Sequence, residues 1–214
     1  MEPATAVPSR VPGAALRVVP PSDGVDLARA EHAAAAFLAA LGVTTDSDAT
    51  AATPRRMAHA YAEMLTPRPF ALTTFPNDEN YDELVLASGI PVHSVCEHHM
   101  LPFIGTAHVG YLPGQRILGL SKLARVVELF ARRPQVQERL TTQIADWLQT
   151  HLDPRGVGVV VEAEHLCMTL RGVRSGGTST TTSTLRGALR EDARSRAEFL
   201  SLTTSLPSAA GRMR

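Results

Sequence analysis

The chain has 214 residues, 44% of them hydrophobic, enough for one large domain, or a domain with an appendage, around a sizeable core. Its 21 basic and 21 acidic side chains cancel, which excludes a bulk electrostatic pull onto nucleic acid or an anionic membrane. No window reaches the ~18 uninterrupted apolar residues of a membrane helix, and the two cysteines, Cys96 and Cys167, are too few for a secreted disulfide scaffold. A cytoplasmic protein with reduced thiols is expected.

Residues 1–24 carry Pro3, Pro8, Pro12, Pro20 and Pro21 among small residues without a sustained period, and predict a disordered leader. From Val25 to Leu41, Leu27, Ala30, Ala34, Phe37, Leu38 and Leu41 recur at helical spacing before Gly42, a helix stop. A second helix is predicted from Thr53 as N-cap and Pro54 as first helical residue, through Met57, Tyr61 and Met64 to about Leu65. These helices define an N-terminal segment, 25–75, ahead of a main domain, 76–214.

In that domain, 84–96 and 103–112 are rich in Val, Ile, Phe and Tyr and read as strands, the second placing Phe103, Gly105, Ala107, Val109 and Tyr111 on one face. Helical spacing returns in 121–133, with Leu123, Val126, Val127 and Phe130, and in 136–152, with Leu140, Ile144, Trp147 and Leu148. The two helices break near Pro134. A strand is expected over 157–171, the Ser/Thr run 178–184 reads as strand or loop, and a short helix closes the chain near Arg196–Leu202. Strands grouped in pairs argue for an α+β fold with an antiparallel sheet.

The densest chemistry is Cys96-Glu97-His98-His99, where a thiolate and an imidazole three residues apart reach one ion from a tight turn. Strand alternation over Val161, Ala163, His165, Cys167, Thr169 and Arg171 puts His165, Cys167 and Arg171 on one polar face. A zinc site of Cys96, His99 and Cys167 is the economical reading; three ligands leave a fourth position for water, the pattern of a catalytic ion. A closed structural site with His98 or His165 as fourth ligand, or two inert buried cysteines, remain alternatives at this point.

Further on, Gly119-Leu120-Ser121-Lys122 opens a helix, with Ser121 as a good N-cap and Arg125 one turn later. Lys122 is the only lysine in the chain, beside 20 arginines. Two cations at the positive end of a helix dipole are unfavourable unless an anion visits, so phosphate is the expected guest. Glu138, taken alone, reads as an ordinary first-turn carboxylate.

The strings SVCEHHMLPFIGTAHVGYLP, GLSKLARVVELFARRPQVQERLT and HLCMTLRGV, in this order, resemble GTP cyclohydrolase I closely from about Asp23 to Leu200. The resemblance implies a tunnelling fold, with a four-stranded antiparallel sheet packed with helices, in 76–214. It implies hydrolysis of GTP at C8 of the guanine ring, release of formate and rearrangement to 7,8-dihydroneopterin triphosphate. It implies one Zn2+ per subunit on Cys96, His99 and Cys167, and proton transfer by His98 and His165. Glu138 becomes the guanine-recognising carboxylate, with Gln137 beside it among the substrate-binding residues. Ser121, Lys122, Arg125 and Arg171 fall to the triphosphate, together with Arg56 from a neighbouring subunit, and the family's ring-stacked homodecamer is expected. The rivals are a noncatalytic zinc-stabilised protein of the same fold, which predicts loss of His98, His165 or Glu138, and a related purine or pterin enzyme, which has no use for the GLSK anion site.

Overall fold

The computed structural model describes residues 16–18 and 24–204. The predicted leader lies outside them except for β1 (Leu16–Val18), which pairs antiparallel with β2 (Phe70–Leu72). Between these strands run the two expected helices. α1 (Leu27–Ala40) is capped by Asp26, whose carboxylate accepts from the Arg29 N–H at 2.9 Å, and ends where Gly42 takes a φ of 75°. Only Ala34 of its apolar stripe is fully buried, because α1 leans chiefly on α2 (Thr53–Leu65) and turns Phe37 and Leu41 outward. Thr53 is itself helical and Ala52 stands at the cap position. The Thr53 hydroxyl accepts from Arg56 Nη2 at 3.1 Å rather than from a backbone N–H, so the expected cap is displaced by one residue.

β3 (Thr74–Pro76) leads into the two predicted strands, β4 (Val85–Cys96) and β5 (Pro102–Leu112), and pairs back with β6 (Arg116–Leu118). α3 (Ser121–Ala131) follows. Ser121 is its first residue rather than its cap, because Gly119 and Leu120 already accept helical bonds from the N–H groups of Lys122 and Leu123. β7 (Pro134–Gln135) separates α3 from α4 (Gln137–Leu152), after which β8 (Gly156–His165) crosses the molecule.

The strand expected over 157–171 ends at His165. Leu166–Thr169 forms a single turn, α5, so strand alternation does not place Cys167 and Arg171; Cys167 is buried on the turn and Arg171 is exposed beyond it. The ladder has run out of partners. β5 pairs Phe103 with His165 and then reaches Pro102, which has no N–H, and pairing to the last strand starts at Ala163. Backbone groups past His165 therefore turn locally, as in the Leu170 N–H donating to Leu166 O.

The Ser/Thr run is a strand, β9 (Thr180–Gly187), and the chain closes with α6 (Ala188–Glu191) and α7 (Ala193–Thr204). The main sheet runs β7-β4-β5-β8-β9: four long antiparallel strands, with two-residue β7 added parallel at the β4 edge. This is the α+β tunnelling architecture.

α3 and α4 cover one sheet face, burying Leu123, Val126, Leu140, Ile144 and Leu148 against Val92, Phe103, Val109, Val159 and Val161. The opposite face meets α6 and α7 through a smaller cluster of Leu112, Val160, Leu189 and Phe199. Phe199 lies flat on two glycines, where a Cβ would come within 3.1 Å of the ring at Gly110 and 2.7 Å at Gly158. Phe199→Ala is expected to lower unfolding free energy by about 3–5 kcal/mol, read from denaturant midpoints, because nothing can collapse into the notch.

Candidate metal centre and active site

β4 delivers Cys96 to a turn that closes on itself: the Cys96 N–H donates to Leu101 O at 2.8 Å, and the N–H groups of His99 and Met100 donate to Cys96 O at 3.3 and 2.8 Å. Met100 absorbs the reversal with a φ of 53°. His99 Nδ1 is thereby brought 3.7 Å from Cys96 Sγ. Cys167 arrives from α5, and the ligand atoms of Cys96, His99 and Cys167 lie within 4.8 Å of one another. A tetrahedral ion with arms of about 2.0–2.3 Å needs its donors roughly 3.3–3.8 Å apart, so the three residues fit zinc in chemistry and nearly in spacing. Burial and the neighbouring Cys96 push the Cys167 thiol up, a strain that a cation between the sulfurs relieves.

His165 is the last residue of β8, two residues before Cys167. Its ring stacks on Phe103, centroids 4.6 Å apart and planes 12° from parallel, and its Nε2 is 2.8 Å from Gln137 Oε1. Burial pulls the imidazole below its usual range while the Glu138 carboxylate acts in the opposite direction. Burial is the larger of the two, so the neutral form of the ring is favoured. Glu138 is exposed in the first turn of α4. His98 is also exposed, its Nδ1 3.9 Å from Cys96 Sγ and its Nε2 3.9 Å from Glu97 Oε1.

Gln137 is 2% exposed with its side-chain polar atoms engaged in the protein, so it faces His165 and the sheet. Three residues not singled out from the sequence brace the site. Arg139 forms an ion pair with Glu97 and donates to Gln135 Oε1 at 2.9 Å, and the Glu97 N–H donates to Gln135 O at 3.0 Å. The metal turn and the first turn of α4 are thus tied together. The signal available was Glu97 and Arg139 each sitting next to a candidate residue.

At the start of α3 a second group forms. Ser121 is exposed and Lys122 half-buried, and Arg125 Nη1 lies 3.3 Å from Glu128. Glu128 also takes a two-pronged contact from Arg68, at 2.6 and 2.8 Å, and lies 3.4 Å from Arg132. Among the described residues, no hydrogen bond or ion pair joins this group to the cysteine–histidine group. Arg56 donates from one nitrogen, Nη2, to Ala49 O and Thr53 Oγ1 in its own helical hairpin, while Arg171 lies near enough to Cys167 for its charge to act on the thiol.

The Arg68 hydrogen bond above all holds the Glu128 carboxyl below the usual carboxylate range. A depressed folded-state pKa contributes stability that is present above the unfolded value and lost as pH falls through the folded one. Arg68→Ala should therefore lower Tm modestly at neutral pH, the arginine being exposed, and the two melting curves should converge in acid. Thermal melts between about pH 7 and pH 2 check this.

A family model described as GTP cyclohydrolase I matches residues 30–204. The chain is 56% identical over 184 residues to GTP cyclohydrolase 1 of Mycobacteroides abscessus, covering 83% of this chain and 89% of that one. To GTP cyclohydrolase 1 of Thermobifida fusca it is 53% identical over 184 residues, covering 84% and 89%. To that of Mycobacterium tuberculosis H37Rv it is 55% identical over 182 residues, covering 83% and 90%. Among the described residues no helix is long and apolar enough to cross a membrane.

Proposed function

Since the chain belongs to the GTP cyclohydrolase I family, we propose how its residues divide the work of converting GTP and water to 7,8-dihydroneopterin triphosphate and formate. The observation that carries the reading is three metal donors within 4.8 Å of one another, with the half-buried imidazole of His165, on which the Glu138 carboxylate acts, two residues before one of them.

Cys96, His99 and Cys167 would hold one Zn2+ per subunit, which when bound would supply the Lewis acidity that makes water a nucleophile at neutral pH. Glu138 accepts from guanine N1–H and the 2-amino group together, a pairing adenine cannot offer. An aromatic C8–H carbon is a poor electrophile until N7 is protonated, and His165 and His98 carry protons to and from the imidazole ring of the base as it opens and loses formate. Burial favours the uncharged form of His165, and exposure lets His98 exchange with solvent.

Ser121, Lys122, Arg125 and Arg171 hold the triphosphate, with Lys122 as a compact point charge among planar guanidiniums. Arg56 of an adjacent subunit completes this set, in a homodecamer. Gln137 belongs to this site through His165 rather than by touching the base.

Incubation of purified zinc-loaded protein with GTP should yield formate and, after oxidation, a fluorescent pterin, with none from ATP. Absence of product from GTP at any zinc level sinks the proposal.

A further inference from the structure

We propose that Gln137 is a positioning residue that fixes the proton of His165 on Nε2, leaving Nδ1 as the ring nitrogen that takes up or hands over a proton. This rests on His165 being a proton-transfer group, as read above.

The argument is one of donors and acceptors. Gln137 opens α4, and its side chain runs inward to the sheet, where Nε2 lies 3.0 Å from Val161 O on β8 and 2.8 Å from Thr180 O on β9. Carbonyl oxygens only accept, so the end of the amide that faces them is the NH2. Its oxygen then points at His165 Nε2, 2.8 Å away. An amide oxygen cannot donate, so the imidazole must, and the neutral ring carries its hydrogen on Nε2.

A second chain of bonds closes the same way. Thr141 Oγ1 is 2.8 Å from Gln137 O and donates to it. Its lone pairs then accept from Thr182, 2.6 Å off. Thr182 Oγ1, 3.2 Å from Gln137 Nε2, shares as the longer branch one of the two hydrogens already directed at Val161 O and Thr180 O. The donor direction at every link follows from a backbone carbonyl at its end. Turning the amide over would set its oxygen against two carbonyl oxygens in a fully buried place, so the orientation has no competitor. Phe103, stacked on the ring and wholly buried, holds the imidazole plane in line with that bond. Sequence alone ranks Gln137 with the substrate contacts; the structure assigns it to the imidazole.

The test is a solid-state 15N spectrum of the full-length, zinc-loaded, 15N-histidine-labelled protein at about pH 8, where a neutral ring is expected. His165 is assigned by the signals that vanish in His165→Asn. The expected spectrum has a protonated Nε2 and an unprotonated Nδ1. In Gln137→Met the acceptor is gone, and a tautomer mixture should appear. GTP turnover should drop by about 100-fold or more in kcat, with KM changed by no more than about threefold and zinc content unchanged. A merely structural role for Gln137 moves stability but neither the tautomer nor kcat at saturating GTP. An Nδ1-protonated ring in the parent overturns the proposal without any variant having to fold, as does a Gln137→Met protein that keeps both the tautomer and kcat. Parental turnover in His165→Asn would instead remove the role of His165 in catalysis and leave the tautomer assignment standing.

Discussion

Cys167→Ser should strip the protein of zinc, reducing metal content from about one ion per chain to near zero, and should reduce GTP turnover to background. A serine hydroxyl is a hard, neutral oxygen where the site needs a thiolate, and only Cys96 and His99 would remain as donors. Lewis-acid assistance is worth several kcal/mol of barrier, so the drop should be about a thousandfold or more. Metal analysis of dialysed protein and formate release measure the two arms. Cys167 is buried on α5, outside the ladder of β8, so the substitution should lower the melting point of the zinc-free protein only modestly, and a cooperative melt separates metal loss from unfolding. A fully retained ion would show the ligand set to be wrong.

Glu138→Ala should act on a different term of the same reaction. The carboxylate is exposed in the first turn of α4 and makes no side-chain hydrogen bond within the chain among the described residues, so the fold does not depend on it. Two charge-assisted bonds to guanine, at about 1.5–3 kcal/mol each, translate to a loss of roughly 10²–10⁴ in kcat/KM. Zinc content and Tm should stay at parental values. Steady-state kinetics with GTP and metal analysis decide it; metal loss without a kinetic change would place the residue in the wrong part of the site.

Much of this was legible in the sequence because it is written in periods and spacings. β4, β5, α3 and α4 each run long enough for alternation or a helical stripe to outweigh local noise, and Cys96 and His99 announce themselves by a three-residue interval. What was misread depends on partners rather than on the segment itself. Thr53 and Ser121 are good capping residues, yet in both cases the chain turns helical one residue early and the hydroxyl is left inside the first turn. The end of β8 is decided by Pro102 on one neighbour and by where β9 begins on the other, neither of which is visible in 157–171. β1, β2, β3 and β6 are three residues each, too short for any period to show. Gln137 reads as a substrate contact until Val161 and Thr180 are seen to present carbonyls to it. Glu97, Arg139, Arg68 and Glu128 are ordinary charges until the fold pairs them.

The early end of β8 bears on how the protein loads and loses its ion. Cys96 belongs to the sheet, while Cys167 stands on a one-turn helix followed by an exposed stretch, 170–174, held by short-range turns. A cation held by both residues would tie the sheet to that exposed stretch, and part of its binding free energy would go into ordering the stretch. The local opening that admits metal is therefore the opening that releases it. Amide exchange after chelation should speed up across 166–179 while the Val157–Val161 ladder stays protected, so that the sheet outlasts its own active site.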